Sequence, residues 1–259
     1  VTPVVLGRRL DALGRRLGSP CLHNLWIPDG SKDVTADRMG RRTLLRASLD
    51  EIYARHHPPA ELEDAVESKL FGVGVESFTV GSHEFYLAYA LSRSLMLCLD
   101  LGHFHPTESI ADKLSALVEF LPGLLLHVSR GVRWDSDHVV LLDDPLRETA
   151  AEVVRCNTKG TIRIALDFFA GGLSRVGALA LSARAVQKAL LLALLEPRAR
   201  LLDLEAGGDR FGQLALLERT KLLPAGAVWE RFCSLHGAPG DRELPERVAA
   251  YEKGLAGRG

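Results

Sequence analysis

Neither a GxGxxG fingerprint nor a P-loop occurs in the chain, so the usual phosphate-cradling turns of open α/β sheets are missing. No CxxC pair occurs either. The cysteines Cys21, Cys98, Cys156 and Cys233 lie far apart, and Cys21 and Cys98 sit inside apolar runs as small core residues; this usage suits a reducing cytoplasm. An excess of one charge is also lacking: 32 Lys and Arg stand against 33 Asp and Glu. With no lysine or arginine block, neither a nucleic-acid nor an anionic-membrane partner is indicated. No apolar run approaches the roughly 18 residues that span a bilayer. The leucine-rich run near Leu190 is broken by Gln187, Lys188 and Pro197. Arg8, Arg9, Arg15 and Arg16 form an amphipathic N-terminal pattern without a signal-peptide core. There is no internal repeat and no low-complexity segment.

What is present is enough apolar material, 47% of 259 residues, for one large core. The spacing of Val5, Leu6, Leu10, Leu13 and Leu17 predicts a helix over 4–17, stopped by Gly18. Strands are expected at about 21–27, 65–71, 95–101, 124–128 and 161–169, with helices between them over about 35–56, 82–94, 107–121 and 144–155. Thr107 reads as a helix cap and 130–138 as a polar loop. Residues 174–255 read as helical throughout, broken at Pro197, Gly207-Gly208, Pro224 and Pro239. Their apolar surface suggests packing against a neighbouring subunit. Alternating strands and helices argue for βαβ units. The missing phosphate loop favours a (β/α)8 barrel over an open sheet. The expected division is 1–173 as a partial TIM barrel and 174–259 as a helical extension. Val1 opens in mid-pattern without Met, as a fragment would.

Leu95–Glu108 carries the sharpest signal. An unbroken apolar strand ends in Asp100, with His103 three residues on. Desolvating a carboxylate there is costly without a cation or donors. Glu67, Asp100, His127 and Asp167 each occupy one of four consecutive strands, so side-by-side strands would make them converge on one divalent ion. His103, Asp135 and Asp137 lie just beyond and could hold a second. Oxygen-rich sets with one nitrogen suit Mn²⁺, Mg²⁺ or Co²⁺ better than Zn²⁺. Singly, each has a plainer reading. His127 fits a hydrogen-bonded core histidine, Asp135 and Asp137 fit turn or cap residues, and Glu67 with Lys69 fits an ion pair. His56, His57, His83 and His236 read as surface residues.

The segments IPDGSKD (27–33), AVESKLFGVGVESFTVGSHEFY (65–86), LCLDLGHFHPTE (97–108), LLLHVSRGVRWDSDHVVLLDD (124–144), LDFF (166–169) and ALLLALLEP (189–197) carry a family likeness. From about Cys21 onward the chain resembles L-rhamnose isomerase. The resemblance implies a xylose-isomerase-like TIM barrel of which about strands 4–8 are present. It implies a bacterial cytoplasmic enzyme, a homotetramer, with two Mn²⁺ ions per subunit, which interconverts L-rhamnose and L-rhamnulose. It places a structural metal on Glu67, Asp100, His127 and Asp167 and a catalytic metal on His103, Asp135 and Asp137. Trp26, Lys69, Glu67 and His103 then fall in the sugar site, with Lys69 near O1 and Trp26 as an aromatic wall. The family's first three strands are not matched, so activity of this chain by itself is not implied.

The implied chemistry is a metal-assisted hydride shift from C2 to C1, with Asp167 moving the proton and Lys69 stabilising charge on O1. An enediol route competes with it. A metal-dependent barrel hydrolase and a non-catalytic structural fragment are the alternatives from other classes. Product analysis separates the first from an isomerase, and metal content separates the second.

Overall fold

The computed structural model describes residues 2–31, 33–54, 58–70 and 79–256. His56, His57 and Phe71, each part of a sequence expectation, lie outside them. The chain divides into two compact units: 1–140 with 155–169, and 141–154 with 170–259.

In the first unit, α1 (Thr2–Leu17) ends at Gly18, whose φ of +65° closes the helix in a conformation that L side chains rarely adopt. β1 (Cys21–Leu25) follows, then the short β2 (Gly30–Ser31). Next comes α2 (Arg38–Ile52), capped by Asp37, whose Oδ1 accepts from the Gly40 N–H at 2.7 Å. β3 (Leu62–Glu67) precedes the short β4 (Thr79–Val80), which pairs antiparallel with β2. α3 (His83–Arg93), β5 (Met96–Asp100), α4 (Ala111–Val118) and β6 (Leu124–Val128) come next. A hairpin of β7 (Arg130–Val132) and β8 (Asp135–His138) and then β9 (Ile162–Leu166) complete the strands.

Five strands form one parallel sheet in the order β1-β3-β5-β6-β9. Chain order and sheet order agree, as successive βαβ units require, and a partial α/β barrel has this pattern. Every residue of β5 is buried, which its unbroken apolar sequence anticipated. Alternation sorts the side chains. Val66, Leu97, Leu99, Leu124, Leu126 and Val128 face one side and are buried. The other side, here the site face, carries Ala65, Met96, Cys98 and Leu125 as an apolar layer with Leu22 and Ala165 against it. Two residues further along those strands, the same face turns ionic.

The second unit is helical: α5 (Asp144–Cys156, whose last two residues belong to the first unit), α6 (Arg175–Leu194), α7 (Arg198–Ala206), α8 (Arg210–Thr220), α9 (Ala225–Leu235) and α10 (Leu244–Ala256). α6 corrects one expectation. By length and composition alone it is apolar enough to cross a bilayer, with mean hydropathy 1.4 over its best window. Two of its charged residues are tied within the unit: Arg184 and Lys188 both pair with Asp241, and both lie over the Trp229 ring.

Several boundaries differ from the sequence reading. β3 ends at Glu67, because Lys69 leaves the sheet to form a bridge with Gly81. Lys69 is therefore not a mid-strand residue. Thr107 caps no helix; its hydroxyl hydrogen-bonds the His105 ring at 2.7 Å, and α4 starts at Ala111. The expected polar loop over 130–138 is the β7–β8 hairpin. His83 is half-buried, edge-on to Phe104, whereas His236 is exposed.

Candidate metal centre

The register of the sheet assembles the site. Glu67 lies beside Cys98, Asp100 beside His127, and His127 beside Ala165, two residues before Asp167. Glu67 ends β3 and Asp100 ends β5, so both stand at the C-terminal edge, where α/β barrels carry their sites. One ligand atom each from Glu67, Asp100, His127 and Asp167 lie within 4.8 Å of one another. The His127 Nδ1 is 3.3 Å from Glu67 and 3.2 Å from Asp167. Asp100 is fully buried and Glu67 is 3% exposed, whereas the Asp167 side chain is 54% exposed.

A second group joins Asp100, His103 and Asp137. The His103 Nε2 is 2.9 Å from Asp137 and 3.8 Å from Asp100. Its Nδ1 is 3.1 Å from the Ser68 carbonyl, which orients the ring, and also 3.1 Å from Glu67 Oε1, so both ring nitrogens face acids. Lys69 donates to Asp137 Oδ2 at 2.7 Å, and its Nζ lies 5.8 Å from the centre of the Trp26 ring. His103, Asp137, Lys69 and Trp26 are thus brought together.

Asp135 is placed differently. Its half-exposed carboxylate pairs with His138 Nε2 at 2.8 Å. In a regular strand Asp135 and Asp137 would share a face. Asp137 has φ of +64°, and this left-handed turn of the backbone breaks the alternation.

The electrostatics describe a cluster short of positive charge. Burial pushes Asp100 up to about 7, and neighbouring Glu67 adds to this against the pull of His103. Burial alone would lower His103 and His127, but the surrounding carboxylates hold each imidazole up at about 10. Burial would raise Glu67, yet the two rings beside it bring it down to about 2. Asp137 is likewise held below the ordinary carboxylate range, because His103 and Lys69 outweigh its burial.

The donor set fits a divalent cation on a geometric test. Among the described residues no hydrogen bond reaches Glu67 Oε1, Asp100 Oδ2 or His127 Nδ1, although all three atoms are buried. The rings approach Glu67 closely but out of alignment. Buried carboxylate oxygens without donors are costly, and a cation would satisfy Glu67 Oε1 and Asp100 Oδ2 together, taking the place of the proton on His127 Nδ1.

Sequence reasoning missed three contributors. Ser129 and the Gly102 N–H both donate to Asp100, and Asn24 donates to Glu67. A signal for Ser129 was its place two residues after His127, just past the end of the same strand. Asn24 shares a strand face with Trp26.

Comparison with known proteins gives the family. The family model described as L-rhamnose isomerase (RhaA) matches residues 4–258. The L-rhamnose isomerase of Escherichia coli O9:H4 (strain HS) is 55% identical over 252 residues, covering 97% of this chain and 60% of the relative. That of Shigella flexneri serotype 5b (strain 8401) is 55% identical over 249 residues, covering 96% and 59%. That of Escherichia coli (strain K12) is 54% identical over 252 residues, covering 97% and 60%. The chain spans about 60% of the length of the curated relatives it matches. With a family match along nearly its whole length and a converged acid–imidazole centre on its sheet, the chain belongs to the L-rhamnose isomerase family.

Proposed function

We propose that the chain carries the metal-binding part of an aldose–ketose isomerase site that interconverts L-rhamnose and L-rhamnulose. The observation that carries this reading is the pair of acid–imidazole groups at the C-terminal edge of the sheet, with Asp100 Oδ2 buried and undonated among them. Glu67, Asp100, His127 and Asp167 would hold one divalent cation. His103 and Asp137 would hold a second, with either Asp135 or Asp100 as the third ligand. Oxygen-rich donors with one imidazole favour Mn²⁺, with Co²⁺ or Mg²⁺ as substitutes. When bound, such a cation supplies Lewis-acid polarisation of the sugar oxygens.

The chain's own residues divide the remaining work. Isomerisation moves a hydride from C2 to C1 and a proton from O2 to O1, which balances the two sugars. Asp167, with its half-exposed carboxylate, is the group able to carry that proton. Lys69, held by Asp137, presents its ammonium to negative charge on O1. Trp26 beside Lys69 supplies an apolar wall. Glu67 and His103 border the space where the sugar hydroxyls would lie.

The five parallel strands are read as the fourth to eighth of a (β/α)8 barrel, with residues 174–259 as a helical extension. Exposed Phe211, Leu214 and Leu222 on the second unit support packing between copies, up to a homotetramer. A cytoplasmic setting belongs to the same reading, and free cysteines suit it. The test is to incubate the Mn²⁺-loaded chain, carried within a protein of its relatives' length, with L-rhamnose and follow L-rhamnulose by chromatography, with metal content measured in parallel. Ketose formation that stops on chelation is expected. Full metal content with hydrolysis products, or no bound metal at all, would overturn the reading.

A further inference from the structure

Two carboxylates of the centre are each held by one oxygen only. Asp100 Oδ1 accepts from the Ser129 hydroxyl at 2.5 Å and from the Gly102 N–H at 2.7 Å, while Oδ2 accepts nothing. Glu67 Oε2 accepts from the Asn24 amide at 2.5 Å, while Oε1 accepts no aligned hydrogen bond and faces only the His103 ring, whose Nδ1 is 3.1 Å away. Ser129, Asp100 and Glu67 are all at least 97% buried, so water does not compete for these bonds. The arrangement is tightly built: a Cβ at Gly102 would lie 2.5 Å from the Ser129 hydroxyl, leaving that position to glycine.

A carboxylate oxygen that already accepts strong hydrogen bonds is a poor additional ligand. Each acid therefore offers a cation a single oxygen. Denticity matters because the hard cations differ in how many ligands they take. Ca²⁺ takes six to eight oxygens and readily uses both oxygens of a carboxylate, whereas Mg²⁺ demands an octahedron at about 2.0–2.1 Å. Mn²⁺ shares the octahedral oxygen preference. We propose that Ser129 and Asn24 are positioning residues that fix Asp100 and Glu67 as one-oxygen ligands and so make the centre select small six-coordinate cations over Ca²⁺. The inference rests on the metal reading above and adds to it a cause of selectivity that lies outside the ligands.

The experiment titrates the metal-stripped chain with Mn²⁺ alone and Ca²⁺ alone by calorimetry, for the wild type, Ser129→Ala, Ser129→Thr and Asn24→Ala. Removing a partner that orients a metal ligand typically lowers affinity about 10- to 100-fold. In Ser129→Ala, Mn²⁺ affinity should fall by about that much while Ca²⁺ affinity holds or rises, so that the Mn²⁺/Ca²⁺ ratio drops at least about tenfold. Ser129→Thr keeps the hydroxyl and should keep the ratio. Asn24→Ala should lower it through Glu67, and it supplies the same reading if Ser129→Ala does not fold by circular dichroism. An unchanged ratio in the alanine variants, or an equal loss in Ser129→Thr, overturns the selectivity role and leaves the metal centre standing. A wild type that binds neither ion overturns both.

Discussion

At the N-terminal end of the site face, Arg163 meets Glu63 through two bonds of 3.1 Å and also donates to the Gly160 carbonyl at 2.6 Å. Nearby, Arg93 pairs with Asp50, which also accepts from Tyr89. At the C-terminal end of the same face, acids are gathered with imidazoles yet keep buried acceptors that nothing donates to. Both ends are ionic and the layer between them is apolar. The first end is satisfied and partly solvated; the second is unsatisfied and, except at Asp167, buried. Satisfaction, more than charge, separates a structural pair from a site. A fold that merely needed polar ends would not bury Asp100 completely and then direct every donor to one of its two oxygens.

The most disruptive way to break the contrast is Lys69→Met. It breaks the buried ion pair with Asp137 and leaves that acid with the His103 ring and the Ser136 hydroxyl alone. Such losses cost about 3–5 kcal/mol. Urea unfolding of the metal-free chain should show a drop of that order, and ketose formation should fall about 10²–10³-fold. A chain of unchanged stability would mean that the pair is not formed. Asp100→Asn comes next. It keeps the shape of the side chain and its accepting oxygen but removes the charge, so cation affinity should fall at least about a hundredfold. Melting temperature should then no longer respond to added Mn²⁺, since stabilisation by a ligand depends on its affinity for the native state. The metal-free melting temperature should stay level or rise, because a carboxyl that burial holds near 7 is replaced by a neutral amide.

Asp135→Asn sharpens the assignment inside the site. If Asp135 is the third ligand of the second cation, one of two bound ions should weaken and turnover should fall about 10- to 100-fold, with the fold intact by circular dichroism. Turnover at the wild-type rate would give that place to Asp100.

The satisfied end should yield much less. Arg163→Met removes a pair exposed by 38% and 22%, and exposed pairs are worth about 0.2–1 kcal/mol. Metal binding should be untouched. The smallest effect concerns pH. The hydrogen bond from Arg93 holds Asp50 below the ordinary carboxylate range, so its folded pKa is depressed. That contribution is present above the unfolded value of about 4 and is lost as pH falls through the lower folded value. Thermal melts from pH 5 to 2 should slope less steeply in Asp50→Asn than in the wild type. Identical slopes would show that the pair carries no linkage.

Features decided within a few residues were legible in the sequence. Pro197, Gly207-Gly208, Pro224 and Pro239 break the helical run where their backbone chemistry requires. The apolar run before Asp100 gave the central strand and the acid at its end. What stayed hidden was decided by partners distant in sequence. β3 stops early because Lys69 bonds to Gly81, and Thr107 loses its capping role to the His105 ring. Ser129 and Asn24 look like ordinary polar residues until β1, β3, β5 and β6 are set side by side. Asp135 and Asp137 seemed equivalent because they were read as neighbours in one polar loop, where spacing does not say which way each side chain turns.

The backbone at Asp137 also restricts what can be inherited there. A left-handed φ of +64° is tolerated by glycine, asparagine and aspartate and penalised for branched or bulky side chains. Random change at this codon therefore meets a conformational filter before any chemical one. Asparagine passes that filter and loses the charge, so Asp137→Asn is the substitution through which a descendant would keep its hairpin while giving up the carboxylate that faces Lys69 and His103.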